Sequence, residues 1–153
     1  MPIIVISGGQ TGIDRMALEI AREMGFPTGG SAPKDYLTEN GPDLPLRDFG
    51  LVALPKKKYK ARTLKNVIDG DGTVIYGDLT GGAELTAEFC QRENKPYFVN
   101  PTADDLAVFV RKNGIQILNV AGNRGSKLAP ERLQGYREQF RKALQLIIGL
   151  EKP

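Results

Sequence analysis

Apolar residues along this chain alternate between short β-branched runs and stretches of helical period. "IIVI" (residues 3–6) reads as a strand buried on both faces, ahead of a glycine turn. Ile13, Met16, Ala17, Ile20, Ala21 and Met24 then recur at helical spacing over residues 13–24, with Gly25 in the C-capping position. Residues 27–50, rich in Pro, Gly, Asp and Asn, follow neither period and predict a long ordered loop. "RTLKNVIDGDG" predicts a short helix ending in turns, and "TVIYG" (73–77) a second buried strand. "DLTGGAELTAEFCQREN" again passes from a glycine turn into a helix, with Leu85, Ala87, Phe89 and Cys90 available for packing. "KPYFVN" (95–100) predicts a third strand, Thr102 caps a helix closed by Gly114, and "IQILNVAG" (115–122) predicts a fourth strand. A last amphipathic helix over 130–148 carries Leu133, Tyr136, Phe140, Leu144, Ile147 and Ile148. Strands alternating with helices in this way predict a mostly parallel sheet covered on both faces, a three-layer α/β/α arrangement.

Composition narrows what such a fold can do. The 153 residues suit one domain spanning 1–153. Histidine is absent and cysteine occurs once, as Cys90, which excludes an internal disulfide, zinc catalysis and Ser-His or Cys-His triads. "MPIIVISGG" lacks the basic and apolar regions of a signal peptide, and no apolar run approaches a membrane span, so a cytoplasmic protein without membrane contact is expected. The net charge of +3 is concentrated in "PKKKYKARTLK" (55–65), which fits a solvated face, the rim of a phosphate site or a weak nucleic-acid patch. The aromatic interleaving of a single-strand binder is missing, so nucleic acid is not an expected partner.

In a doubly wound sheet, ligands bind beyond the carboxyl ends of the strands. Three segments change character at that edge and should converge: "SGGQTG", "GDLTGGAELT" and "NVAGNRGS". The first two run straight into helices, whose unpaired N–H groups and positive dipole ends favour an anion such as phosphate. A glycine after one strand is equally a tight turn; two such turns with hydroxyls beside them point to a phosphorylated ligand. The candidate binding residues are Gly8, Gly9, Gln10, Thr11 and Gly12 on the first turn, Thr80, Gly81, Gly82 and Thr86 on the second, and Asn119 and Gly122 on the third. Arg15, Lys34 and Arg62 are candidate countercharges, with Arg124 just past the fourth strand. Asp14 reads as a carboxylate on the helix dipole, Asp71 as a turn residue, and Glu88 as a helical carboxylate. "GGQTGID" has neither the Lys-Ser/Thr pair of a P-loop nor a G-x-G-x-x-G, so neither an NTPase nor an ordinary dinucleotide oxidoreductase is supported.

"SGGQTGIDRMAL", "GGSAPKD", "ENGP", "RTLKNVIDGDGTVI", "LTGGAELT" and "ILNVAGNR" together resemble, in order over residues 4–124, the molybdenum cofactor carrier-like proteins. These belong to a Rossmann-like superfamily that includes the LOG-type nucleotide phosphoribohydrolases, also labelled lysine decarboxylase-like, and nucleotide-sensing domains. The resemblance implies a Rossmann-like homo-oligomer, a dimer or tetramer, whose turns bind the phosphate of a nucleotide or of molybdopterin. The molybdenum cofactor would be cargo, with molybdoenzymes as its recipients. Gly81, Gly82 and Glu88 also keep the glycine-to-glutamate spacing of the LOG motif P-G-G-x-G-T-x-x-E, and Arg62 stands where those enzymes have a catalytic arginine. That similarity implies, as an alternative, N-glycosidic cleavage of a nucleoside monophosphate by Arg62 and Glu88, and a nucleotide sensor is a further one. Thr80 replaces the motif's proline, and Glu84-Leu85 its internal Gly-Thr. A carboxylate at Glu84 would repel a phosphate unless it faces away or meets a cation.

Overall fold

The computed structural model describes residues 3–151. Its strands are β1 (Ile4–Ile6), β2 (Thr28–Ala32), β3 (Leu37–Thr38), β4 (Gly41–Pro42), β5 (Leu51–Ala53), β6 (Gly72–Tyr76), β7 (Tyr97–Val99) and β8 (Ile117–Gly122). The helices are α1 (Ile13–Glu23), α2 (Tyr59–Asp69), α3 (Gly81–Arg92), α4 (Ala103–Lys112) and α5 (Pro130–Glu151). Six strands form one parallel sheet in the order β5-β2-β1-β8-β6-β7, and β3 and β4 make a separate small antiparallel hairpin. Helices α1, α4 and α5 pack one face through Ile13, Ile20, Leu106, Phe140 and Leu144, while α2 and α3 meet on the other through Val67, Phe89 and Cys90. The result is a three-layer α/β/α fold of Rossmann type.

Counting strands from β6 rather than from the first residue gives the order 2-1-3-4-5-6, that of a doubly wound sheet. The switch point, where connections run off in opposite directions, then lies between β6 and β8. A crevice opens there because the loops after the two neighbouring strands diverge.

Residues 27–50 are not the long loop that their composition predicts. They contain β2, the hairpin and a 3-10 helix over Leu44–Phe49. β2 escapes a hydrophobicity reading because "TGGSA" carries no large aliphatic residue. Its place in the sheet is fixed by close backbone packing: a Cβ on Gly30, at φ +128, would lie 2.1 Å from the Ser7 carbonyl oxygen. Asn66 of α2 adds a two-point bracket, its Oδ1 accepting from the Ser31 N–H at 2.8 Å and its Nδ2 donating to the Ser31 carbonyl at 3.0 Å. Both the clash and the positive φ oppose any side chain at Gly30. Gly30→Ala is therefore expected to lower stability by at least about 2 kcal/mol in urea denaturation. A midpoint equal to wild type would show that β2 can move away from β1.

The other differences are smaller. Ile4, expected inside, is 37% exposed, and α2 starts within the lysine-rich segment at Tyr59 rather than after it. The Thr102 cap forms as expected, its Oγ1 accepting from the Asp105 N–H at 3.1 Å. Asp71 is more than a turn residue: its Oδ2 accepts from the N–H groups of Gln116 and Ile117, tying the turn before β6 to the start of β8.

Candidate functional site

A cleft of about 590 Å³ lies at the switch point, within the size range of small-molecule sites. The α3 N-terminus borders it with Thr80, Gly81, Gly82 and Thr86; the end of β8 and the loop after it with Gly122, Asn123, Arg124 and Lys127; α2 with Tyr59, Arg62 and Thr63; the first turn and the start of α1 with Gln10 and Asp14. Among the described residues no acceptor meets the Gly81 or Gly82 N–H, and a Cβ on either glycine would touch nothing within 4 Å. The Thr80 side chain makes no capping bond. This helix end therefore offers unpaired donors and a positive dipole to the cleft. Its approach loop is rigid: Asn100 brackets the backbone of Gly77 and Asn123 that of Asp78, each by one accepted and one donated bond of 2.7–2.9 Å.

The first glycine turn is built differently. Its donors already face an anion of the protein itself, the carboxylate of Asp14, which accepts from the N–H groups of Gly8 and Gln10. The Gly9 N–H reaches Ser7 Oγ at 3.3 Å, and the Thr11 N–H reaches Gln10 Oε1 at 3.0 Å. Asp14 is not merely a carboxylate on the dipole, because Arg62 Nη1 donates to its Oδ2 at 3.2 Å, with the two side chains 11% and 4% exposed. The guanidinium lies directly on Gly8, where a Cβ would come within 2.1 Å of Nη1. Burial pushes the Asp14 carboxyl above its ordinary range, and Arg62 with the turn N–H groups offsets this only in part. Beneath the pair a void of about 10 Å³, bordered by Gly8, Thr63 and Asn119, has room for about one water; Arg62 Nε, buried nearby, has no partner among the described residues. Asn119 itself is buried, its Nδ2 donating to Thr73 Oγ1 at 3.2 Å, so it supports the floor of the site.

Several other candidates sit outside the cleft. Gly9 packs under Leu46 and Leu51, and Gly12 against the backbone of residues 123–125. Thr11 bonds to Glu39 and Gly125. Arg15 lies over the Phe49 ring at 4.7 Å and near Glu19 and Asp43. Lys34 is exposed beside the lysine-rich segment, its N–H on the Lys56 carbonyl. Glu84 and Glu88 are both exposed on α3 and line neither the cleft nor the void. Glu84 therefore does not oppose an anion from within the site.

Glu39, at the tip of the β3–β4 hairpin, joins two walls. Its carboxylate accepts from Thr11 Oγ1, Ser126 Oγ and the Ser126 N–H and lies 3.7 Å from Arg124 Nε, while its own N–H donates to Gln10 Oε1. Partial burial raises its pKa, but the bonds from Ser126 and Thr11 and the charge of Arg124 outweigh this and hold the carboxyl below its ordinary value of about 4.5. A depressed folded pKa means that Glu39 adds stability above about pH 4.5, which is lost as pH falls through the folded value. The stability difference between wild type and Glu39→Gln should thus be flat from about pH 5 to 7 and shrink below about pH 4.5; a constant difference down to pH 3 would contradict this.

The comparisons with known proteins agree with this fold. The model of the circularly permutated YpsA SLOG family matches residues 5–143. The chain belongs to that family. Permutation is what the strand order shows, since only a count begun at β6 restores the doubly wound sequence. Among solved structures, the "Putative molybdenum carrier protein" from Syntrophus aciditrophicus SB is 36% identical over 96% of this chain and 95% of its own, with a TM-score of 0.80. The E-1-hydroxy-2-methyl-but-2-enyl-4-diphosphate reductase from Plasmodium falciparum is 11% identical, covering 90% of this chain and 52% of its own at a TM-score of 0.38, too low to bear on fold or chemistry. No curated protein matches. In this member of the YpsA SLOG family, the polar cleft residues that sequence reasoning passed over are Tyr59, Thr63, Asn123 and Lys127. A start of α2 at Tyr59 would have placed Tyr59, Arg62 and Thr63 on one helical face by their i, i+3, i+4 spacing.

Proposed function

We propose that the cleft binds a phosphorylated small molecule of nucleotide or molybdopterin size and carries it without cleaving it. The observation that supports this most is the α3 N-terminus, with two unengaged N–H groups at Gly81 and Gly82 facing a cleft that also has Arg62, Arg124 and Lys127 on its walls. Phosphate at that end would meet backbone donors, the Thr80 hydroxyl and cationic side chains, while the Thr86 hydroxyl already donates to the Gly82 carbonyl at 2.8 Å. Tyr59, Leu85, Ala83 and Ala121 supply apolar surface for the remainder of the ligand. A molybdenum cofactor fits as cargo through its phosphate. Its metal would stay within the pterin, since no group of three or more His, Cys, Asp or Glu among the described residues could hold a metal ion.

The alternative, hydrolysis of a nucleoside monophosphate, requires a carboxylate at the ribose. Glu88 is exposed on α3 outside the cleft lining, and the one carboxylate on the wall among the described residues, Asp14, is engaged by Arg62 and two backbone donors. Mass spectrometry of the natively purified protein should find a phosphorylated pterin or nucleotide, and incubation with AMP or GMP should release no free base. Base release at enzymatic rates, abolished by Glu88→Ala or Arg62→Ala, would overturn the carrier reading.

A further inference from the structure

The hairpin that carries Glu39 does not line the cleft, yet the Glu39 carboxylate is surrounded as a bound anion would be. One oxygen accepts from Thr11 Oγ1 and the Ser126 N–H, and the other accepts from Ser126 Oγ and faces Arg124. These donors come from the loop after β1 and the loop after β8, which are 114 residues apart in sequence and are also joined by the Gly125 N–H donating to Thr11 Oγ1 at 3.0 Å. Thr11 and Ser126 stand outside the cleft, whereas their neighbours Gln10 and Arg124 line it. Gln10 is held from a second side, because its Oε1 accepts from the Glu39 N–H at 2.9 Å. A single residue therefore orients one polar and one cationic side chain of the cleft without lining it.

We propose that Glu39 is a positioning residue for the ligand site: its carboxylate, an internal anion seated in a nest of donors, restrains Arg124 toward a phosphorylated ligand, while its backbone N–H holds Gln10. The inference rests on the cleft being that ligand's site. Three features favour a positioning role over a purely structural one. The hairpin is only two residues per strand and adds little to the sheet core. The Glu39 side chain is 14% exposed, so its bonds are made where water competes little. Arg124 is 45% exposed, and such an arginine wanders among rotamers unless a charge restrains it. Glu39 supplies that charge and also lowers the entropy lost when a ligand engages Arg124.

The test measures AMP and pyrophosphate binding by calorimetry for wild type, Glu39→Ala and Glu39→Gln, with and without sodium formate. Formate is a carboxylate small enough to enter the emptied nest. Glu39→Ala should weaken binding roughly tenfold and Glu39→Gln roughly threefold, and formate should restore the alanine variant while leaving wild type unchanged. Amide NMR gives an independent reading: the Ser126 N–H should shift upfield in Glu39→Ala and return with formate. Unchanged affinity in a folded Glu39→Ala protein, or restored Ser126 chemistry without restored affinity, would overturn the proposal. If wild type binds neither probe while the Ser126 signal still responds to Glu39→Ala and formate, the ligand assignment fails and the nest stands.

Discussion

Asp14→Ala is expected to lower the free energy of unfolding by about 3–5 kcal/mol, the usual cost of removing one partner of a buried ion pair. The loss has two sources in this fold. Arg62 would remain packed on Gly8 with its charge uncompensated, and the N–H groups of Gly8 and Gln10 would lose the acceptor around which the first turn is wound. Water can reach little of this, since the two side chains are 4% and 11% exposed. For a chain of this length the thermal midpoint should fall by roughly 10 °C. Asp14→Asn, which keeps the shape and one acceptor oxygen, should lose less. Arg62→Ala added to Asp14→Ala should cost less than the sum of the single changes, because the first removal already destroys the pair. Urea and thermal denaturation of wild type and these four variants measure all of this, and an additive cycle would show that the two side chains do not interact.

The alternation of strand and helix was readable from residue pattern because four strands and all five helices carry conventional apolar periodicity, "TVIYG" and the 130–148 helix most plainly. What escaped is instructive for its cause. β2 holds its position through glycine backbone and the Asn66 bracket rather than through side-chain burial, so hydrophobicity carries no trace of it. The strand order was equally hidden, because only the pairing of β8 with both β1 and β6 reveals the permutation. At the site, the presence of the turn after β6 and of Arg62 on the cleft wall could be anticipated from residue type. The engagement of the first turn by Asp14 could not, since a carboxylate seven residues from Ser7 looks the same whether it faces solvent or folds back over its own backbone. Glu39 lay within the quoted "ENGP", but nothing local announces that a hairpin tip will meet residues 11 and 126.

Gly82→Asp should separate the two kinds of glycine turn more sharply than any other change. Gly12 and Gly82 both precede or open a helix after a strand, yet a Cβ on Gly12 would strike the Asn123 carbonyl oxygen at 2.5 Å, while one on Gly82 would meet open cleft. A carboxylate in the first turn of α3 interacts favourably with the helix dipole, by about 0.3–1 kcal/mol, and replacing glycine inside a helix is itself favourable. The variant is therefore expected to be at least as stable as wild type. The same carboxylate would occupy the Gly81–Gly82 donors and repel an incoming phosphate, so affinity for AMP or pyrophosphate should fall roughly a hundredfold, about 2.7 kcal/mol. Stability and binding thus move in opposite directions, which misfolding cannot imitate. Retained affinity in a stable Gly82→Asp protein would remove the α3 N-terminus from the ligand site and leave Arg62, Arg124 and Lys127 to account for anion binding.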